Sequence, residues 1–376
     1  MMNREFRSLV FVVSACSVFL SGGLHSEVLF EEDFDSQPDF TSTMHTTEKR
    51  QESSSGDILP KGWNALYQTT AWSPETGYPS KHATLEILSS NADKAMGGTG
   101  KSAVMYRESS SNQWNSDSQL VKLLDQGVDE LYVEFYIRFS DNWWHRANYA
   151  NYASKMFRIG HWDGVRDLFN GALGGLGPLV FWDYKRDQYG MSNFLSFRGG
   201  PGDEGNNYYL NGEYPDYVSL GYGYFTLEEA PGGTDPLVVN QVEGGYLKDI
   251  GRYDPITHEQ VFGTTEHWTK LGFYVRMNSA IGAADGIFRM WVNDQRIVNR
   301  EKIPFVQPNT DNAMLKWNYI AIGGNDNFFP YPADQLFEDW YAIDNIVVRS
   351  DMPVNLGVSD TLGDVAPTPP SDLVVE

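Results

Sequence analysis

The stretch Leu131-Tyr-Val-Glu-Phe-Tyr-Ile-Arg-Phe139 alternates without a slip. Leu131, Val133, Phe135, Ile137 and Phe139 fall on one face and Tyr132, Glu134, Tyr136 and Arg138 on the other. This is the period-two pattern of a strand with one side in a core and the other in water. Runs of the same kind recur at Ala103–Arg107, Lys155–His161, Leu179–Tyr184, Ser192–Arg198, Leu271–Asn278, Ile287–Asn293, Tyr319–Ile322 and Ala342–Arg349. Helical spacing is confined to Ser118–Asp125 and Val165–Leu173. Many strands with no alternating helices exclude a parallel α/β architecture and predict an all-β chain of two packed antiparallel sheets.

Outward from that core, the first residues read as an address. Arg4 and Arg7 precede the apolar run Leu9–Leu20, which ends in Ser21-Gly-Gly23, the layout of a secretory signal peptide over residues 1–26. The segment Val13-Ser-Ala-Cys16 offers the alternative of lipoprotein anchoring at Cys16. No later run is long enough for a transmembrane segment, so the chain is expected to be exported, periplasmic or extracellular, and monomeric. Cys16 is the one cysteine, so disulfides do not hold the fold. One domain is expected over residues 28–349, followed by an acidic, proline-bearing tail, 350–376, without packed structure. Thr41–Asp57 reads as a polar loop and Gly199–Thr265 as long loops inserted between strands, where binding function concentrates.

The formal charge is −22, which argues against nucleic acid as a partner. Between Arg138 and Arg198, however, eight cations (Arg138, Arg146, Lys155, Arg158, Arg166, Lys185, Arg186, Arg198) outnumber five carboxylates. They lie among strand-like segments crowded with Trp and Tyr. A cationic, aromatic zone inside an anionic protein fits an elongated anionic ligand built of rings, because guanidinium and ammonium groups hold carboxylates while aromatic faces stack on sugars. The plainer alternative is a set of solvated strand faces. Ala95-Met-Gly-Gly-Thr-Gly-Lys-Ser102 mimics a phosphate loop, but a polar stretch precedes it and the alternating Ala103–Arg107 follows. It is read as a glycine-rich turn into a strand.

Three segments carry a family resemblance: Val28-Leu-Phe-Glu-Glu-Asp-Phe-Asp-Ser36, Asp285-Gly-Ile-Phe-Arg-Met-Trp-Val-Asn-Asp294 and Tyr341-Ala-Ile-Asp-Asn-Ile-Val-Val-Arg349. They resemble secreted polysaccharide lyases of the alginate and glucuronan type, which have a concanavalin-A-like jelly-roll fold. The resemblance implies a jelly-roll sandwich with long inserted loops. It also implies a site made of a Lys on one concave strand, a Ser-x-Arg pair on another and a Tyr-x-Tyr pair nearby. Here these are Lys155, Ser196 and Arg198, and Tyr222 and Tyr224, with Tyr208 and Tyr217 competing for the tyrosine roles.

Elimination from a uronate needs its carboxylate neutralised, so that the C5 proton becomes acidic. Arg198 and Lys155 are the candidates, with Arg158 in reserve. A tyrosine serves as base and acid where nearby cations lower its pKa, and His161 or His145 is the other base. His161 is expected to share strand parity with Lys155; beside Trp162 it also reads as a structural histidine. Trp143, Trp144 and Trp162 are candidate stacking platforms or core residues, and Tyr136 and Arg138 candidate substrate contacts.

No cofactor is required. A structural Ca2+ held by Glu32, Asp33 and Asp344 is an expectation of the fold, with solvated edge charges as the alternative. The absence of His-x-x-x-His and Cys-x-x-Cys spacings disfavours catalytic zinc. Three readings follow: a lyase acting on an anionic uronic-acid polysaccharide, a non-catalytic carbohydrate-binding protein, and a glycoside hydrolase. The last is weakened because Glu31-Glu-Asp-Phe-Asp-Ser36 lacks the second acidic partner of a Glu-x-Asp-x-x-Glu run.

Overall fold

The computed structural model describes residues 27–45, 56–68, 72–73, 82–107, 115–141, 143, 152–164, 168, 178–187, 190–198, 258–303, 305–306, 313–327 and 339–357. In chain order the strands are β1 (Val28–Glu32), β2 (Phe40–Thr41), β3 (Ala65–Tyr67), β4 (Trp72–Ser73), β5 (His82–Ala83), β6 (Leu85–Ile87), β7 (Ala103–Arg107), β8 (Asn115–Val128), β9 (Glu130–Phe139), β10 (Tyr152–Gly160), β11 (Leu179–Asp187), β12 (Gly190–Arg198), β13 (Thr269–Arg276), β14 (Gly286–Val292), β15 (Gln295–Ile303), β16 (Trp317–Asn327) and β17 (Asp339–Arg349). Two short α-helices, α1 (His258–Phe262) and α2 (Val354–Gly357), and three 3-10 turns, Ser42–Met44, Ser89–Lys94 and Met96–Gly98, complete the described elements.

One sheet runs β15-β14-β13-β9-β17-β7-β6-β2, with β1 also paired to β17; the second runs β12-β11-β10-β16-β8-β3. The pairings within both are antiparallel. The chain changes sheet from β2 to β3, returns to the first sheet at β6 after the small β4-β5 pair, and changes again from β7 to β8, β8 to β9, β9 to β10, β12 to β13, β15 to β16 and β16 to β17. The result is the two-sheet antiparallel sandwich expected from the strand pattern, of the jelly-roll kind that the resemblance implies.

The core lies between the sheets. Leu131, Val133, Phe135 and Ile137 of β9 are fully buried there, as their alternation requires. Phe135 meets Phe157 of the other sheet with ring centroids 5.0 Å apart, and Phe157 meets Phe273 at 4.7 Å. Burying each large apolar side chain contributes about 1.5–3 kcal/mol relative to leaving it in water, so this interlayer holds the sandwich together.

Three expectations change. Tyr132, on the other face of β9, is also buried, because Tyr274, Trp291 and Leu356 form a second apolar cluster over it. Leu356 belongs to α2, so packed structure continues to residue 357 and does not stop at Arg349. Ser118–Asp125 lies in strand β8. Its Leu120 and Leu124 face the main core while Val121 and Leu123 join an outer cluster, so apolar residues on both faces imitate a helical stripe. The span 165–173 lies outside the described residues apart from Leu168.

The glycine-rich segment before β7 is a turn with left-handed φ at Gly97 (76°) and Gly98 (71°), and it leads into a strand, with no helix for a phosphate to meet. Among the described residues no helix is long and apolar enough to cross a membrane.

Candidate functional site

Strand β10 sits between β11 and β16 and is irregular in its middle. Lys155 lies opposite Asp183 and Phe157 opposite Trp182, so Met156 is an extra residue with no partner on β11. This β-bulge turns Met156 and Phe157 both into the core. The half-buried Lys155 and Arg158 are thereby brought to the outer face of the six-stranded sheet. Across β10, the backbone of Lys155 rests on Gly324: a Cβ there would lie 2.6 Å from the Lys155 Cβ and 2.7 Å from its carbonyl oxygen.

The register links this strand to the others of the sheet. Arg158 is opposite Phe181 on one side and Ala321 on the other, and Phe181 is in turn opposite Ser196. One row further, Gly160 lies between Leu179 and Tyr319, and Leu179 is opposite Arg198. Ser196 thus occupies the same cross-strand row as Arg158, two strands away or roughly 10 Å, and Arg198 the row of Tyr319.

Tyr319 is the residue that sequence reasoning placed in a strand but not in the site. Its alternation with the inward Ile320 and Ile322 sets it on the outer face, and its ring crosses Gly160, where a Cβ would lie 2.5 Å from the hydroxyl. It is 3% exposed. Burial pushes its pKa up to about 12, while the charge of Arg158 acts to lower it.

His161 stands just beyond the end of β10, where its amide donates to Pro178 O at 3.0 Å. Its Nδ1 is 2.8 Å from the carbonyl oxygen of Lys316, so the neutral ring donates from Nδ1 and leaves its lone pair on Nε2. Burial holds its pKa below the usual histidine value. The bulge breaks the parity expected between His161 and Lys155, and the His161 ring turns to the Lys316 carbonyl at the strand end. Trp162 is half-buried beside it, packed on the outer cluster of Leu179 and Tyr319 and tied to Asn318 by two hydrogen bonds of 2.8 and 2.7 Å.

Other expected residues do not join them. Tyr136 and Arg138 belong to β9 and lie on the outer side of the nine-stranded sheet, the opposite face of the sandwich. Tyr136 there pairs with Lys270 and Asp344, and Arg138 donates to Asp93 O at 2.8 Å and lies over the Trp340 ring. Trp143 is fully buried in the core against Phe139, Tyr184 and Tyr341, which makes it a packing residue and not a sugar platform. Trp144, His145, Tyr208, Tyr217, Tyr222 and Tyr224 lie outside the described residues.

Of the carboxylates named for calcium, Asp33 and Asp344 lie near enough for the charge of Asp33 to act on Asp344, while Glu32 is engaged elsewhere. Glu32 turns inward, where it accepts from the amide of Phe34 at 2.7 Å, from Gln37 and from Trp63 Nε1 at 3.2 Å. Asp344 accepts from the amides of Met96 (3.0 Å) and Asn345 (2.8 Å). Burial pushes its pKa up to about 7, with the charges of Asp35 and Asp33 adding to the shift. Among the described residues no three His, Cys, Asp or Glu side chains are grouped to hold a metal ion.

No protein-family model matches the chain, and no curated protein matches it in sequence. Solved structures share its outline at low identity. An alginate lyase from Aplysia kurodai is 11% identical, with 86% of this chain and 99% of that one covered, at a TM-score of 0.44. A variant of the alginate lyase Aly36B in complex with an alginate tetrasaccharide is 12% identical, over 85% of this chain and 95% of that one, at 0.42. An endo-β-1,4-glucuronan lyase from the fungus Trichoderma reesei is 10% identical, over 77% and 91%, at 0.41. A glycoside hydrolase also occurs among the matches. Likeness at this level decides nothing about the site, whose chemistry rests on the residues of this chain.

Proposed function

We propose that the chain is an exported polysaccharide lyase that cleaves a uronic-acid polymer by β-elimination on the outer face of the six-stranded sheet. The observation that carries this reading is the bulge at Met156, which presents Lys155 and Arg158 together on the face whose rows also contain Ser196 and Arg198. An outward pair of cations on a protein of net charge −22 is the arrangement a polyanion requires.

In the reaction the C5–H bond breaks, its electron pair forms the C4–C5 double bond, and the C4–O4 bond breaks toward the leaving sugar. Lys155 and Arg158, joined by Arg198, neutralise the substrate carboxylate as charge develops on it, which is where a fixed cation lowers the barrier most. His161, neutral with its lone pair on Nε2, takes the C5 proton. Tyr319 keeps its hydroxyl proton through neutral pH and supplies it to O4. Trp162 offers a ring beside this corner for stacking on the polymer.

The decisive experiment is incubation with alginate, glucuronan and neutral β-glucans while following the ultraviolet absorbance of the unsaturated uronate. Elimination produces that chromophore and hydrolysis does not. A rise with a uronate polymer and none with glucans is expected. Binding of uronate oligosaccharides without any rise would replace this reading with the carbohydrate-binding one, and reducing ends released without the chromophore would replace it with hydrolysis.

A further inference from the structure

Inside the sandwich, between the two sheets, Arg107 and Asp326 form an ion pair, Nε to Oδ1 at 3.3 Å, with both side chains wholly shielded from solvent. Arg107 also donates to the hydroxyls of Tyr341 (2.6 Å) and Ser118 (3.1 Å) and to the carbonyls of Gly324 (3.2 Å) and Tyr106 (3.0 Å). Asp326 accepts in addition from the hydroxyl of Ser154. Desolvating two charges costs about as much as their attraction returns, and an apolar pair of similar volume often serves stability as well. Stability alone is therefore a poor reason for this pair.

Its position supplies another. On β10 and β16 the register holds at Ser154 opposite Asp326 and at Phe157 opposite Ile322; between them Lys155 and Met156 face Gly323, Gly324 and Asn325. The interior network grips this irregular stretch twice. Asp326 holds Ser154, the residue before Lys155, and Arg107 holds the carbonyl of Gly324, whose Cα is the surface on which Lys155 rests. The two cations on the outside are thus fixed by two charges on the inside.

We propose that the Arg107–Asp326 pair is a positioning device for the outer face: through Ser154 and Gly324 it holds the bulge that sets Lys155 beside Arg158. This rests on the lyase reading above. Charged groups held a fraction of an ångström from their best positions lose much of their effect on a transition state while still attracting a polyanion. The device therefore acts on turnover more than on binding.

The test is Ser154→Ala, which removes the hydroxyl and leaves the ion pair in place, assayed with the full chain on the uronate polymer that the wild type cleaves. The expected result is a folded protein whose kcat falls about tenfold or more with KM little changed, and recovery of kcat in Ser154→Thr, which restores a hydroxyl at the same atom. Gly324→Ala, which pushes on Lys155 from the neighbouring strand, should give the same kcat-selective loss. A folded Ser154→Ala with wild-type kcat would overturn the proposal. So would a loss in step with thermal stability that Ser154→Thr fails to restore, which is the mark of a packing role only. If Ser154→Ala does not fold, wild-type kcat in Gly324→Ala would overturn it by itself. A wild type that acts on no uronate polymer would instead remove the lyase reading itself.

Discussion

Lys155 and Arg158 lie three residues apart in one strand and yet on the same face of it. In a regular strand that spacing sends the two side chains to opposite sides. Met156 makes the difference: as an extra residue against β11 it goes into the core together with Phe157, and Arg158 is returned to the side of Lys155. Two positive charges on the outside of an acidic protein are thereby concentrated in one place.

Replacing either cation tests this arrangement directly. Lys155→Ala and Arg158→Ala are each expected to lower turnover on a uronate polymer by about 10²–10³-fold, the usual effect of removing one preorganised stabilising contact. Both should keep the far-ultraviolet circular dichroism of the wild type. Arg138→Ala, on the other sheet, should leave turnover unchanged. An equal effect at all three positions would mean that general charge, and not this face, attracts the substrate.

Tyr319 can be probed by removing one atom. Tyr319→Phe keeps the ring over Gly160 and should leave the thermal midpoint close to that of the wild type. A tyrosine that protonates the leaving oxygen is worth about 10²–10⁴ in rate, so kcat should fall by that order. Undiminished kcat in Tyr319→Phe would pass the acid role to another residue.

Gly323 is required by the fold, not by the chemistry. Its φ is 83°, and a Cβ would stand 1.9 Å from the carbonyl oxygen of Ser118 on β8. Gly323→Ala combines left-handed strain with a backbone clash and should destabilise the protein by about 3 kcal/mol or more, read as a lowered urea midpoint. A midpoint equal to that of the wild type would show that β8 and β16 separate there at little cost.

Two groups, the partly buried His258 and the buried Asp344, give stability opposite pH dependences. Burial of His258, which lies 2.9 Å from the Tyr184 hydroxyl, lowers its pKa from 6.5 to about 4. The unfolded chain therefore takes up a proton that the folded one refuses, and stability present above pH 6.5 is lost as pH falls through 4, by about 3 kcal/mol. Asp344 is raised from 3.8 to about 7, so stability present below 3.8 is lost as pH rises through 7. Asp344→Asn should accordingly be more stable than the wild type at alkaline pH, with the difference closing as pH falls below the usual carboxylate range, measured as thermal midpoints. A difference independent of pH would contradict the assignment to Asp344. A midpoint raised by calcium in the wild type but not in Asp344→Asn would show that this carboxylate gathers a cation with Asp33 and Asp35.

The local alternation of Leu131–Phe139 determined by itself that these residues form a strand, and which of them reach the core, because side-chain direction in a strand depends only on the backbone repeat. The two-sheet class followed from many such runs without intervening helices. Ser118–Asp125 departs from that rule, because apolar residues cover both faces where an outer cluster packs on β8 as well. Tyr132 departs from it too, because α2 covers it from a distant part of the chain. Within the site, the residue types Lys155, Arg158, Ser196 and Arg198 were legible, since cations and aromatic residues stand out against an acidic background. Their grouping was not. Only the tertiary structure decided that Tyr136 and Arg138 lie on the far sheet, that Trp143 is core, that Tyr319 stands beside Arg158, and that an extra residue turns Arg158 outward. A bulge depends on the register between strands distant in sequence, and no local pattern records which residues those strands will meet.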